Sequence, residues 1–556
     1  TDADITSRLR LEDRYFAAID AVIDPATGNV VCRSDIDPSA IVPPSSPYPA
    51  QNGGFQITTF SPGDGQCVPI NIFGANTITQ EAADFIFQPA TAQNEIEQNN
   101  FLATLSGDSE FLFSLPAGPI GFVVGYEYRK DESAFTPDAF SAAGLTFGTI
   151  NSNGGPTNAS SGEIEVQEYF TEVKIPVLAD LPFIENFELT GAYRYSDYDA
   201  FGETDTWSMG ARWTIIDSLT VRSTLSRAVR IPNITEAFSP TFTVSLGASS
   251  DPCNPQFIDA GTQFRRPNCE ALISIPVDTY NSTDYVSARI PGQSGGNPDL
   301  EPEEADSFTV GAVWRPVEDF NGLFEGLTVT VDYYKIEIDG LIDQLGAFDI
   351  AQNCVDAPTI NNQFCAAIDR DPTVGFITGF RSGYVNLAAV ETSGIDWRVD
   401  YAFDLPSMFG LQDAGELRLS TLGTNFLSNE ETRDVSAPEE VTDVLTTMSR
   451  PEWIFNLNAT WSVGDLSLGW KGRYESEQLL SGIELDDLES DPDFANITQA
   501  DGAWVHDFSI SYFLREELEI YGGINNAFDE EPYLGQLSRP AGPRGRFFYA
   551  GVNATF

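Results

Sequence analysis

Few residues in this chain could carry chemistry. A single histidine, His506, serves 556 residues. It lies in "GAWVHDFSISYF", in phase with Trp504, Phe508, Ile510 and Tyr512. That spacing puts it on the apolar stripe of a strand, where no nucleophile and orienting acid can join it. No catalytic constellation follows, and an enzyme is not expected. Six cysteines form three local pairs, Cys32 with Cys67, Cys253 with Cys269 and Cys354 with Cys365, each inside one Pro/Gly/Asn-rich segment. Such pairs read as disulfides of an oxidising compartment, since zinc would want CxxC-like spacing and histidine partners. The run "IELDDLESDPDFAN" gathers Glu484, Asp486, Asp487, Glu489, Asp491 and Asp493. Calcium could bind there through loosely placed oxygens. The central glycine of an EF-hand is absent, so a solvated acidic loop is favoured and no cofactor is expected.

Arginines and aromatics could instead hold a ligand. Arg222 and Arg230 are in phase with Thr220, Thr224 and Ser226, and Arg212 with Thr206 and Ser208. On a wet inner wall they could hold an anion through charge-assisted hydrogen bonds. Alternatively they pair with acids such as Glu127, Glu168 and Glu172, and this second reading is favoured because polar inner walls are the rule in membrane barrels. Phe264, Tyr280, Tyr285, Phe348, Phe364 and Phe380 lie in polar, irregular segments. Their rings would suit sugar faces or a siderophore, although loop aromatics also pack loops together.

The elements that position these residues are strands. In "PEWIFNLNATWSVGDLSLGWKGRYE", Trp453, Phe455, Leu457, Ala459 and Trp461 share one face, with Asn456, Asn458 and Thr460 opposite. After the turn, Leu466, Leu468 and Trp470 alternate with Ser467, Lys471 and Arg473. Large apolar residues alternating with charges over about ten positions fit a membrane-spanning strand with lipid outside and a wet lumen inside. Trp453 and Trp461 stand roughly 26 Å apart along an extended chain, near the two interfacial girdles.

Fifteen segments read this way: 98–113, 119–133, 163–178, 186–199, 202–215, 218–229, 304–316, 325–341, 385–405, 415–428, 450–463, 465–478, 502–514, 516–526 and 546–556. Short connections alternate with long acidic ones, apart from "DYDAFGE". That asymmetry separates the periplasmic from the extracellular side of an outer-membrane barrel, and all three cysteine pairs fall in long connections. No apolar run is long enough for a transmembrane helix. Residues 1–97 read as an extracellular loop region, with a short helix in "SRLRLEDRYFAAIDAV" and the first disulfide; 98–556 read as barrel strands with long loops. Against 83 acidic residues stand 29 basic ones, a net charge of −54 that repels nucleic acid.

Five stretches narrow the class: "LSRAVRIPNITEAFSP" (225–240), "GNPDLEPEEADSFTVGAVWRP" (296–316), "VTVDYYKIEIDGLI" (329–342), "GINNAFDEEPY" (523–533) and the terminal "GRFFYAGVNATF". In this order they resemble the TonB-dependent outer-membrane receptors. The resemblance implies an all-β transmembrane antiparallel barrel, about 15 strands here of an expected 22, with long extracellular loops. It also implies an N-terminal plug and early strands outside this sequence, so that the chain is expected to start in a loop. Implied partners are outer-membrane lipid, the TonB complex through that N-terminal part, the barrel-assembly machinery and a small-molecule nutrient. Arg212, Arg222 and Arg230 become candidate plug contacts, and Phe548 and Phe556 resemble the barrel-assembly signal. The expected function is binding and import of a scarce nutrient, such as a siderophore or carbohydrate, at the cell outer membrane. A passive porin-like or adhesive surface barrel is the alternative.

Overall fold

The computed structural model describes residues 2–39, 59–75, 77–143, 157–286, 289–316, 324–386, 389–406, 414–432, 441–479, 499–533 and 539–555. Among them, one antiparallel sheet holds seventeen strands, the short Val441–Asp443 on Glu416–Thr432 and sixteen that pair in sequence order. They are Asp2–Arg10, Phe87–Asp108, Gly121–Thr136, Ser160–Leu181, Ile184–Tyr198, Gly202–Ile216, Leu219–Arg230 and Glu303–Trp314. Leu327–Asp339, Ala389–Asp404, Glu416–Thr432, Trp453–Val463, Leu466–Glu475, Ala503–Arg515, Leu518–Asn525 and Phe547–Ala554 continue it. Each strand pairs with the next, with register shifts at Pro176/Leu178, Thr214/Ile216, Ser393/Gly394 and Phe513/Arg515. No helix among the described residues is long and apolar enough to cross a membrane.

The two faces of this sheet differ as the alternation predicts. Registered pairs place Met209 against Leu225 and Leu225 against Phe308, with the Phe308 and Tyr333 rings 6.3 Å apart. Met209, Leu225, Val331, Ile510 and Val552 are all exposed on this face. A contiguous apolar band of that extent is stable only against lipid. At the short-turn end, the indoles of Trp213 and Trp461 donate to the carbonyls of Phe183 and Ala414 at 2.9 and 2.7 Å. Each buries a ring in the band and satisfies its N–H on a turn, as an interfacial tryptophan should.

At the other end the outer face turns ionic. Lys130 bridges Glu132 and Glu163, Lys335 bridges Glu337 and Glu391, and Arg227 bridges Glu304 and Asp306. Charges on that face mark where the strands leave hydrocarbon. Phe87–Asp108 and Ser160–Leu181 are each 22 residues long. A tilted span needs only about ten, so these strands project well into water.

That projection corrects two expectations. The first long strand begins at Phe87 and ends at Asp108, not near 98–113, and residues 1–97 contain a further strand, Asp2–Arg10, paired with Phe87–Glu95. The helix is confined to Glu12–Ile19. Water on both faces of these projecting segments removes the apolar alternation by which a strand is read.

All three disulfides form as expected, Cys32–Cys67, Cys253–Cys269 and Cys354–Cys365. The last two staple a unit built from the connections 231–302 and 340–388. Its sheet joins Phe242–Gly247, Arg289–Gly295, Ile377–Asn386, Ile342–Leu345 and Ile368–Arg370. Gly292 must lack a side chain, since a Cβ there would stand 2.4 Å from the Phe380 ring. Two buried ion pairs tie one connection to the other. Arg265 engages Asp356 through Nε at 2.7 Å and through Nη2, and Arg370 Nη1 reaches Asp251 at 3.2 Å. Asp251 also accepts the Tyr280 hydroxyl at 2.8 Å, and burial pushes that phenol upward so that it stays a donor.

Candidate functional site at the lumen mouth

The stretch that follows Leu219–Arg230 bends across the top of the wall, and one side chain sets the bend. Arg230 lays Nε and Nη2 on the Glu303 carboxylate, both at 2.6 Å, and Nη1 on Glu236 at 2.9 Å. Glu236 closes a capping box with Asn233 at the head of the helix Ile234–Phe238. Glu303 Oε1 also accepts from the Ile342 backbone N–H at 2.6 Å, and Asn297 N–H reaches the Glu236 carbonyl at 2.8 Å. Both loops therefore leave the barrel from one hub. Glu236 and Glu303 are buried, so Arg230→Ala strands two carboxylates and should open this corner by about 1–3 kcal/mol. Hydrogen exchange at Ile342 and across 234–238 would rise, while exchange in Leu219–Arg230 would not. Arg230→Lys should rescue only part, because an ammonium cannot span both carboxylates as a fork.

The hub swings Phe238 over the wall. Registers put Asn94 opposite Phe135, Phe135 opposite Ser160 and Ser133 opposite Gly162, on the lumen face that carries Glu127 and Glu168. Phe238 lies against Gly162, where an added Cβ would stand 2.5 Å from its ring. Around this ring are two clefts with a common wall of Ser133, Ser161, Gly162 and Phe238. One, of about 360 Å³, is lined by Asn94, Phe135, Ser160, Thr235 and Thr241 among others. The second, about 570 Å³, opens on the opposite, outer face of the same strands, which carries Glu95, Glu97, Glu132 and Glu163, and adds Asp199.

The candidate arginines are placed differently from one another. Arg222 forks onto Asp332 at 2.9 and 2.7 Å, and Arg230 is consumed by its hub. Pairing with wall acids was the favoured reading, but the partners are others: Glu127 and Glu168 take Arg194 instead, at 3.6 and 3.1 Å. Arg212 is exposed, directly opposite Arg222 in the register, with no ion pair among the described residues. His506 lies between Trp504 and Trp470, with ring centroids at 5.6 and 5.9 Å, and its Nδ1 accepts the Trp470 indole N–H at 3.2 Å. It belongs to the upper aromatic girdle.

Three of the loop aromatics lie inside the stapled unit. Tyr280, Phe364 and Phe380 are buried in its interior, so their faces pack loops and are closed to a ligand from outside. Phe264 and Phe348 are half-buried, the latter edge-on to Phe257 at 6.0 Å. Only Tyr285 of the six is exposed, stacked on Phe376 at 5.2 Å. Phe548 points from the apolar band, whereas Phe556 and the acidic run from Glu484 to Asp493 lie outside the described residues. Among the described residues no cluster of three or more acidic, histidine or cysteine side chains could hold a metal. Sequence reasoning missed Phe238 and Gly162. The capping pattern from Asn233 to Glu236 was the available signal for the helix that carries Phe238.

A two-faced antiparallel wall with an interfacial girdle and a loop-covered mouth defines an outer-membrane β-barrel. The chain belongs to the TonB-dependent receptors: the family model described as "TonB dependent receptor-like, beta-barrel" matches residues 50–527. That family places it in the outer membrane of Gram-negative bacteria. A search of curated proteins found no match. Among solved structures, the siderophore receptor PirA from Acinetobacter baumannii is similar in fold, with TM-score 0.51 and 14% identity over 84% of this chain and 56% of that one. A double mutant of the ferric enterobactin receptor PfeA from Pseudomonas aeruginosa gives TM-score 0.50 and 15% identity over 89% and 56%. The chain thus spans little more than half the length of these receptors. Family and neighbours are receptors rather than enzymes.

Proposed function

We propose that this chain forms the wall and the ligand-capturing loops of a receptor that takes up a scarce nutrient from outside the cell. Import would draw on inner-membrane energy delivered through TonB, with the nutrient passing down the lumen to the periplasm. The observation that carries this reading is the lumen-mouth cleft beside Phe238, held over a TonB-receptor barrel wall by the Arg230 hub. Such a concave site with a few convergent polar groups is where a small ligand is captured. Outer-membrane lipid would cover the apolar band, and the barrel-assembly machinery would read the strand that carries Phe548. The siderophore receptors similar in fold suggest iron carriers as one cargo, and a carbohydrate is another.

A passive pore predicts something different, because diffusion needs no energy and saturates only at high concentration. Deletion and complemented strains should be compared for growth on limiting ferric siderophores, haem or oligosaccharides, with and without a protonophore. The receptor reading expects one nutrient for which the deletion strain fails and the protonophore abolishes the complemented advantage. Uptake unaffected by the protonophore would point to the porin-like alternative, and no difference on any nutrient would sink import.

A further inference from the structure

The charge around the cleft restricts what it can hold. No lysine, arginine or histidine lines either cleft among the described residues. The cations nearest in the wall are already neutralised: Arg129 by Asp131, Lys130 by Glu132 and Glu163, Arg194 by Glu127 and Glu168, and Arg230 by Glu236 and Glu303. The larger cleft, on the outer face of the same strands, presents five carboxylates against the one Lys130 ammonium. A ligand bearing carboxylate, phosphate or catecholate charge would meet a repulsive field and no counter-ion.

What remains on the walls is suited to hydroxyl groups. The smaller cleft offers the Asn94 amide and the hydroxyls of Ser133, Ser160, Ser161 and Thr235, together with the rings of Phe135 and Phe238. Hydroxyls and amides both donate and accept, which matches a ring bearing several hydroxyl groups. Aromatic faces complement the apolar C–H face of a pyranose.

We infer that the lumen-face cleft beside Phe238 binds an uncharged oligosaccharide, one sugar ring lying against Phe135 and Phe238. This deepens the receptor reading and rests on it.

The test uses the full-length receptor purified in detergent and calorimetric titration with defined probes. These are maltohexaose, cellohexaose, xylohexaose and laminarihexaose, the hexamers of galacturonate and mannuronate, a ferric tris-catecholate and haem. At least one neutral hexamer should bind, and each uronate hexamer should bind at least roughly tenfold more weakly at low salt, the gap narrowing as salt rises. Phe238→Ala and Asn94→Ala should each weaken the neutral hexamer roughly tenfold. Gly162→Ala displaces the same ring without removing it and should act in the same direction. Unchanged thermal unfolding of the barrel would show that the variants fold. Failure of every neutral hexamer, or neutral binding that ignores these substitutions, overturns the proposal. Binding of the tris-catecholate or haem that is lost in Phe238→Ala also overturns it, while leaving the receptor reading intact. The receptor reading fails separately, if no nutrient shows energy-dependent uptake.

Discussion

Asp356→Ala should loosen the stapled loop unit by about 3–5 kcal/mol, the cost of leaving a buried charge without its partner. Arg265 is 2% exposed and donates to Asp356 and to the Phe257 carbonyl, which alone cannot neutralise it. A guanidinium has no route to shed its proton, so it must drag water inward or swing out. Asp356 also accepts from the backbone N–H of Thr262, so the same change frees the turn before the helix Arg265–Leu272. Limited proteolysis of the intact receptor should then cut within 251–286 and 347–376, with barrel fragments unchanged in size. Replacing both partners with apolar residues of similar volume should recover much of the loss, because no unpaired charge is left. Equal protease resistance in Asp356→Ala and the parent would show that the cross-loop pair contributes little.

Met209→Arg should destabilise the barrel by about 2–4 kcal/mol, since it sets a guanidinium near mid-depth of the apolar band. Met209 faces outward, beside Leu225 in the register, between the ionic rim at Arg227 and the indole of Trp213. Arginine at position 208, where Ser208 faces the lumen opposite Ser226, should cost little. The pair of variants separates lipid exposure from a general effect of charge. Urea unfolding of receptor refolded into bilayers, read by tryptophan fluorescence, gives both values.

Sequence patterning made the barrel legible wherever lipid touches it. Trp453 to Trp461 and Leu466 to Trp470 announce their faces because hydrocarbon on one side and water on the other enforce alternation. Where water lies on both sides the signal fades, which is why Asp2–Arg10 and the first residues of Phe87–Asp108 read as loop. Cysteine spacing gave the staples directly. The ligand-facing residues were harder. Tyr280 and Phe380 look exposed in polar sequence, yet the unit they sit in is large enough to have an interior. Phe238 acquires its position from contacts distant in sequence, Arg230 with Glu303 and its own ring with Gly162, and no local pattern states them. The family words turn out to be anchors: their Arg230, Glu236 and Glu303 hold the loops to the wall.

The most direct measurement is accessibility scanning of Leu219–Arg230 in outer-membrane vesicles. All six native cysteines are paired, so single cysteines introduced at each position accept a spin label cleanly. Relaxation by lipid-soluble oxygen and by a water-soluble nickel chelate then reports each environment. A receptor wall predicts opposite two-residue oscillations, oxygen peaking at 221, 223 and 225 and nickel at 220, 222 and 224, with both high at 227 above the lipid. In-phase profiles, or nickel access at every position, would mean that this strand does not divide lipid from lumen, and the receptor account would fall with it.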